Sequence, residues 1–174
     1  MNGWEVDKRW SDRFLPEIKG HIGRVLISES PIEEDTERNT DLIVLTLRPY
    51  RIACRIRKYK FMKQYGDEFT IREGRPSGAK TELTKIIEGW GDYLFYGFAD
   101  PTEIYLAQWL IGSLNAFRLW HSRELCKNKG HPPGKNKQNH DYSSNFHAFR
   151  YAEIPDFVVA RGSSERDPIK NRAA

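Results

Sequence analysis

Asp41-Leu-Ile-Val-Leu-Thr-Leu47, Arg51-Ile-Ala-Cys-Arg-Ile-Arg-Lys-Tyr59 and Glu68-Phe-Thr-Ile-Arg72 are three successive runs whose hydrophobic spacing sets the fold class. The first is apolar almost throughout, as in a strand covered on both faces. In the second, Ile52, Cys54 and Ile56 alternate with Arg51, Ala53, Arg55, Arg57 and Tyr59, the pattern of a half-buried strand. The third sets Phe69 and Ile71 against Glu68, Thr70 and Arg72 in the same way. Arg48-Pro-Tyr50 is too short for a crossover helix, so the first two runs are expected to pair antiparallel.

Working outward, a Gly/Pro/Ser loop at 74–78 leads to a helix with Thr81 as a possible cap and Leu83, Ile86 and Ile87 as its apolar stripe. Gly89 and Gly91 end it, and Asp92-Tyr-Leu-Phe-Tyr-Gly-Phe98 reads as a central strand. Upstream, residues 1–28 carry Phe14, Leu15, Ile18, Ile22, Val25 and Leu26 at the spacing of one buried helical face. Downstream, a long helix is predicted from about Thr102 to Cys126, broad enough in its apolar surface for deep burial or a homodimer contact. Residues 127–139 form a basic loop, while 146–151 and 157–160 add two short strands at a sheet edge. The expected architecture is one α/β domain over 1–161, a mixed central sheet flanked by helices, with a disordered polar tail at 162–174.

Of the 174 residues, 28 are Lys or Arg and 24 Asp or Glu, so the net charge of +4 favours an anionic partner only weakly. The distribution is more telling. Seven cations and no acid lie between Arg48 and Lys63, interleaved with Tyr50, Tyr59 and Phe61, while the acids crowd into Glu29 to Glu37. Such a strand suits a phosphate backbone or, equally, a solvated face paired with the acidic loop. Lys127 to His140 holds four more lysines without an acid, either an arm on phosphates or a surface loop. No apolar run approaches the roughly 20 residues of a membrane span, and no signal-peptide pattern opens the chain, so a cytoplasmic address is expected. Cys54 and Cys126 read as reduced core thiols.

The order helix, three strands, helix, strand resembles the PD-(D/E)XK nuclease superfamily, in particular its Holliday-junction-resolvase-like members. An aspartate opens one strand, and a charged pair two residues apart sits on the next. The resemblance covers roughly 11–98 and implies a restriction-endonuclease-like α-β-β-β-α-β core that acts on nucleic acid, DNA ahead of RNA, with Mg²⁺. It puts Asp41 in the place of the motif aspartate, a metal ligand, and Glu17 in that of the first-helix acid. Arg55-Ile56-Arg57 stands where Glu-x-Lys is required, and arginine repels a cation. Glu68 is then the substitute carboxylate, with Lys80, Glu82 or Lys85 as migrated acid or base. The resulting candidates are Asp41, Glu68 and Lys80 for catalysis and Asp41, Glu68 and Glu17 for the metal. Arg55, Arg57, Lys58, Arg72, Lys129, Lys135 and Lys137 are the candidates for nucleic-acid binding. The alternatives are an inactive scaffold that presents a charged face to DNA or to a protein, and an ordinary ion pair between Glu68 and Arg57.

Other signals are weaker. Gly74-Arg-Pro-Ser-Gly-Ala-Lys-Thr81 imitates a P-loop but has three residues between its glycines and Ala79 ahead of Lys80. His121, His131, His140 and His147 match no compact metal-ligand spacing. Trp90, between two glycines, could stack on a base.

Overall fold

The computed structural model describes residues 3–22, 27–29, 31, 42–44, 49–74, 80–138 and 145–163. Asp41, all but Glu29 of the acidic run and the interior of the 74–81 loop lie outside them. The order is α1 (Gly3–Asp12), α2 (Leu15–Ile22), β1 (Ile27–Glu29), β2 (Leu42–Val44), β3 (Tyr50–Arg57), a 3-10 turn (Tyr59–Phe61) and α3 (Met62–Tyr65). There follow β4 (Glu68–Gly74), α4 (Glu82–Ile87), β5 (Tyr93–Ala99), β6 (Leu106–Ser113), α5 (Leu114–Lys127), β7 (Lys135–Gln138), β8 (Asn145–Arg150) and β9 (Val158–Ser163). The chain is mixed α/β. Six strands form one sheet in the order β1-β2-β3-β5-β6-β9, and three form another in the order β4-β8-β7.

The large sheet has an apolar layer on each face, as its central strands demand. β5 is buried from Leu94 to Ala99 and runs parallel to β3, with Cys54 opposite Phe95 and Arg55 opposite Tyr96. A strand covered on both faces belongs in the middle of a sheet. On one face, Phe14, Ile18, Leu42, Ile52, Ile56, Phe95, Ala99 and Leu106 pack with α1 and α2. On the other, Leu94, Tyr96, Phe98 and Leu110 meet α4, α5 and the small sheet. Pro16 sits in the first turn of α2, where a missing N–H is tolerated. The β2–β3 pairing is antiparallel, as the short link requires. No helix among the described residues is long and apolar enough to cross a membrane.

Several expectations need correction. The single N-terminal helix is two helices, and residues 27–29 are a strand. β4 is not in the central sheet: β3 has β2 on one side and β5 on the other, and β4 pairs with β8. The helix expected over 102–126 is a strand and then a helix. β6 carries apolar residues on both faces, and periodicity alone does not separate such a run from a buried helix. Gly112 and Ser113 mark the change. A Cβ at Gly112 would collide with the Phe157 ring, and the Ser113 hydroxyl caps α5 by accepting from the Ala116 amide. The broad surface that suggested a homodimer contact is thus divided between a strand inside the sheet and a helix that buries Leu114, Phe117 and His121.

Part of the basic loop is β7, and β8 lies in the middle of the small sheet, not at an edge. β9 closes the large sheet through Ser163, so residues 162 and 163 belong to a strand and 164–174 lie outside the described residues. Gly162 faces Trp109, whose indole lies 2.8 Å from where a Cβ would be. Cys54 is half-buried on the expected face, but Cys126 is exposed.

Under the small sheet, His147 lies between two acceptors. Nδ1 is 3.0 Å from the Pro133 carbonyl and Nε2 is 2.8 Å from a Glu73 carboxylate oxygen. His121 on α5 is 6% exposed, and its Nε2 has no hydrogen-bond partner among the described residues. Burial lowers its pKa below the usual histidine value, nearby His147 lowers it further, and Glu73 only partly offsets them. The folded state therefore holds His121 neutral while the unfolded chain protonates near pH 6.5. Stability is full above that pH and falls as the pH drops below it. Urea unfolding between pH 7.5 and 5 is expected to show this loss, up to about 1.4 kcal/mol per pH unit from this one group. His121→Leu should flatten the profile; parallel profiles for the two proteins would contradict the assignment.

Candidate nucleic-acid interface

β3 delivers two arginines to one face of the sheet, two residues apart, but they end in different surroundings. The Arg55 side chain is only 20% exposed. Its guanidinium donates to the Thr70 carbonyl at 3.2 Å and forms a close ion pair with Glu82, whose same oxygen accepts the Arg72 backbone N–H at 3.1 Å. Beside it the Thr70 hydroxyl lies 3.3 Å from the Tyr96 hydroxyl. Arg55 thus fastens β3 to β4 and α4. The Thr81 hydroxyl strengthens the same joint by donating to the Glu73 carbonyl at 2.7 Å instead of capping α4.

Arg57 reaches the rim, where β3 gives way to the 3-10 turn and α3. Its guanidinium lies 4.9 Å from the centre of the Phe61 ring, and the Lys60 ammonium approaches the same ring at 5.1 Å. Lys137 of β7 stands 4.0 Å from the Tyr65 ring, and the two rings are 6.5 Å apart. Gln108 donates to the Gly66 carbonyl at 2.7 Å and pins this segment to β6. Lys58, Lys60 and Lys63 are exposed. Cations over rings keep their charge available to solvent while their stems cover apolar surface. The result is a basic, aromatic ledge along one rim.

The remaining candidates are distributed as follows. Glu68 is buried and takes Lys137 at 3.0 Å and Lys135 at 3.7 Å, so its partners lie on β7 and Arg57 is not among them. Lys80 is exposed and pairs with Glu88 at 2.8 Å. Glu17 accepts the Leu106 amide at 2.8 Å and stands 3.6 Å from His21. Lys129 is exposed in the turn after α5, with φ of 52°. Glu17 belongs to the helical layer on one side of the large sheet and Glu68 to the small sheet on the other, and Asp41 lies outside the described residues. Among the described residues no three His, Cys, Asp or Glu side chains are grouped to hold a metal ion, and Glu17 and Glu68 already have partners. Glu17 and Glu68 therefore stand on opposite sides of the large sheet, each with partners of its own.

The segment between β5 and β6, where a helix is expected to begin, is a turn. Asp100 is buried. Burial pushes its carboxyl up, but hydrogen bonds from the Thr102 hydroxyl and from the amides of Tyr105, Ile104 and Thr102 outweigh this and leave it below the ordinary value. The Asp-Pro-Thr sequence is as much a turn signal as a helix cap, because an aspartate can satisfy amides a few residues on in either structure. Glu103, carried by this turn, receives the Trp10 indole N–H at 2.7 Å. No protein-family model matches the chain, and no curated protein or solved structure is significantly similar to it.

Proposed function

We propose that this protein binds nucleic acid, DNA in the first instance, by its phosphate backbone along the ledge from Arg57 to Tyr65, with the β7 lysines at its border. The observation that carries the reading is the run Arg57, Lys58, Lys60 and Lys63, with no acid between them in the sequence, beside Phe61 and Tyr65 and at the carboxyl end of a strand that is parallel to its neighbour. That end of an open α/β sheet is where ligands gather. Backbone contact by cations with aromatic rings between them is the chemistry of sequence-tolerant nucleic-acid binding.

A nuclease-like core is part of the proposal, supported by α2, β1, β2 and β3 and, after the intervening α3 and the small-sheet strand β4, by α4 and then β5 parallel to β3. In that order β1 replaces the strand expected at 68–72.

The test is fluorescence anisotropy with a labelled oligonucleotide over a salt series. Arg57→Gln/Lys60→Gln/Lys63→Gln should reduce the slope of log affinity against log salt by about 1 for each lost phosphate contact, with the thermal midpoint little changed. An unaltered slope would remove the ledge from the reading. Repeating the incubation with Mg²⁺ checks for cleavage: cutting that disappears in Asp41→Ala would make the binder an enzyme.

A further inference from the structure

Glu103 is one of three non-glycine residues with positive φ among the described residues, at 56°. The left-handed conformation is unfavourable for a residue with a Cβ, so the surroundings must hold it there. They do so from below: the Asp100 carboxylate accepts from the Thr102 hydroxyl at 2.8 Å, the Ile104 amide at 3.1 Å and the Tyr105 amide at 3.3 Å. The result is to aim the Glu103 carboxylate at three donors from two other parts of the fold. The Trp10 indole N–H lies 2.7 Å away, the Arg13 guanidinium 3.6 Å and the Lys58 ammonium 4.0 Å. Both cations also flank the Trp10 ring, Arg13 at 5.9 Å and Lys58 at 5.7 Å from its centre.

Two cations and a fixed N–H around one oxygen pair are what a phosphate group would recruit. Arg13 and Lys58 are about half exposed, so the cluster is open to a ligand, and Lys58 continues the ledge. We infer that Trp10, Arg13 and Lys58 form a phosphate subsite of the nucleic-acid interface, in which Glu103 is the resident anion that an incoming backbone phosphate displaces. This rests on the nucleic-acid reading above. Glu103 thereby lowers affinity for any polyanion and sets a threshold for binding. A ligand must bring enough ledge contacts to expel a carboxylate that the turn holds in place.

The experiment compares wild type, Glu103→Gln, Glu103→Gly and Glu153→Gln for binding of a labelled 15-nucleotide DNA at low salt. It also follows the Trp10 indole N–H resonance, assigned with Trp10→Phe. Glu153 is exposed on the turn after β8, so E153Q controls for net charge. E103Q is expected to bind about tenfold tighter than wild type and clearly tighter than E153Q, and the Trp10 signal should move as DNA is added. E103G, which also relieves the positive φ, should tighten binding likewise. If wild type binds with a salt slope that depends on Arg57 while E103Q matches E153Q and the Trp10 signal stays still, the subsite is overturned and the ledge survives. If none of the proteins binds DNA, the nucleic-acid reading fails and the subsite with it.

Discussion

Glu82→Ala is expected to destabilise the protein by about 3–5 kcal/mol, the cost of leaving a largely buried arginine without its counter-ion. Arg55 and Glu82 are 20% and 8% exposed, so water cannot take over for the missing carboxylate. The loss has a second part, because the Arg72 amide also bonds to Glu82. Arg55→Met/Glu82→Gln should recover most of the stability, since it removes the charge and keeps an acceptor for that amide. Urea unfolding of the single and double variants measures this directly. A single variant that loses less than about 1 kcal/mol would show that the pair is not what joins β3 to β4 and α4.

Phe69→Ala should cost a similar amount, about 3–5 kcal/mol, through transfer and cavity terms together. Phe69 stacks on Phe157 with centroids 4.6 Å apart, and it meets Phe149, Phe117 and Tyr96 edge-on or tilted within 6.3 Å. Those rings come from the small sheet, α5, the turn before β9 and the central strand, so one side chain touches both sheets. The truncated protein is therefore expected to lose both sheets in one transition, read by far-ultraviolet circular dichroism and tryptophan fluorescence together. Separate transitions would mean that the small sheet is an independent unit.

Where a pattern had one physical cause, the sequence was readable. The alternation in β3 reflects one apolar face, and the glycines at 89 and 91 adopt the positive φ values that end a helix, 103° and 78°. β5 was recognisable as central from its aromatic content alone. The failures have causes too. β6 looks helical because both its faces are covered, and its strand form comes from pairing with β5 and with β9, the latter some fifty residues on in sequence. Nothing local in Glu68–Arg72 says which sheet it joins, because its partner is β8.

The site was readable only in part. The run of cations singles out Arg57, which lies over the Phe61 ring at the rim, and Lys58, which is exposed. The fate of Arg55 depended on Glu82, and the gathering of Trp10, Arg13 and Lys58 around Glu103 depended on a turn mistaken for a helix.

The strand order has a consequence for how the chain is made. β6 waits for β9, the last described strand, to cover its outer edge, and β4 waits for β8. A nascent chain therefore exposes the partner edges of β4 and β6 until residues 145–163 have been synthesised, and such edges invite pairing with other chains. Closing these distant pairings also makes folding slow for a protein of this size. Its most vulnerable interval comes before the native state is reached, and chaperone occupancy during translation should be governed by the late arrival of Val158–Ser163.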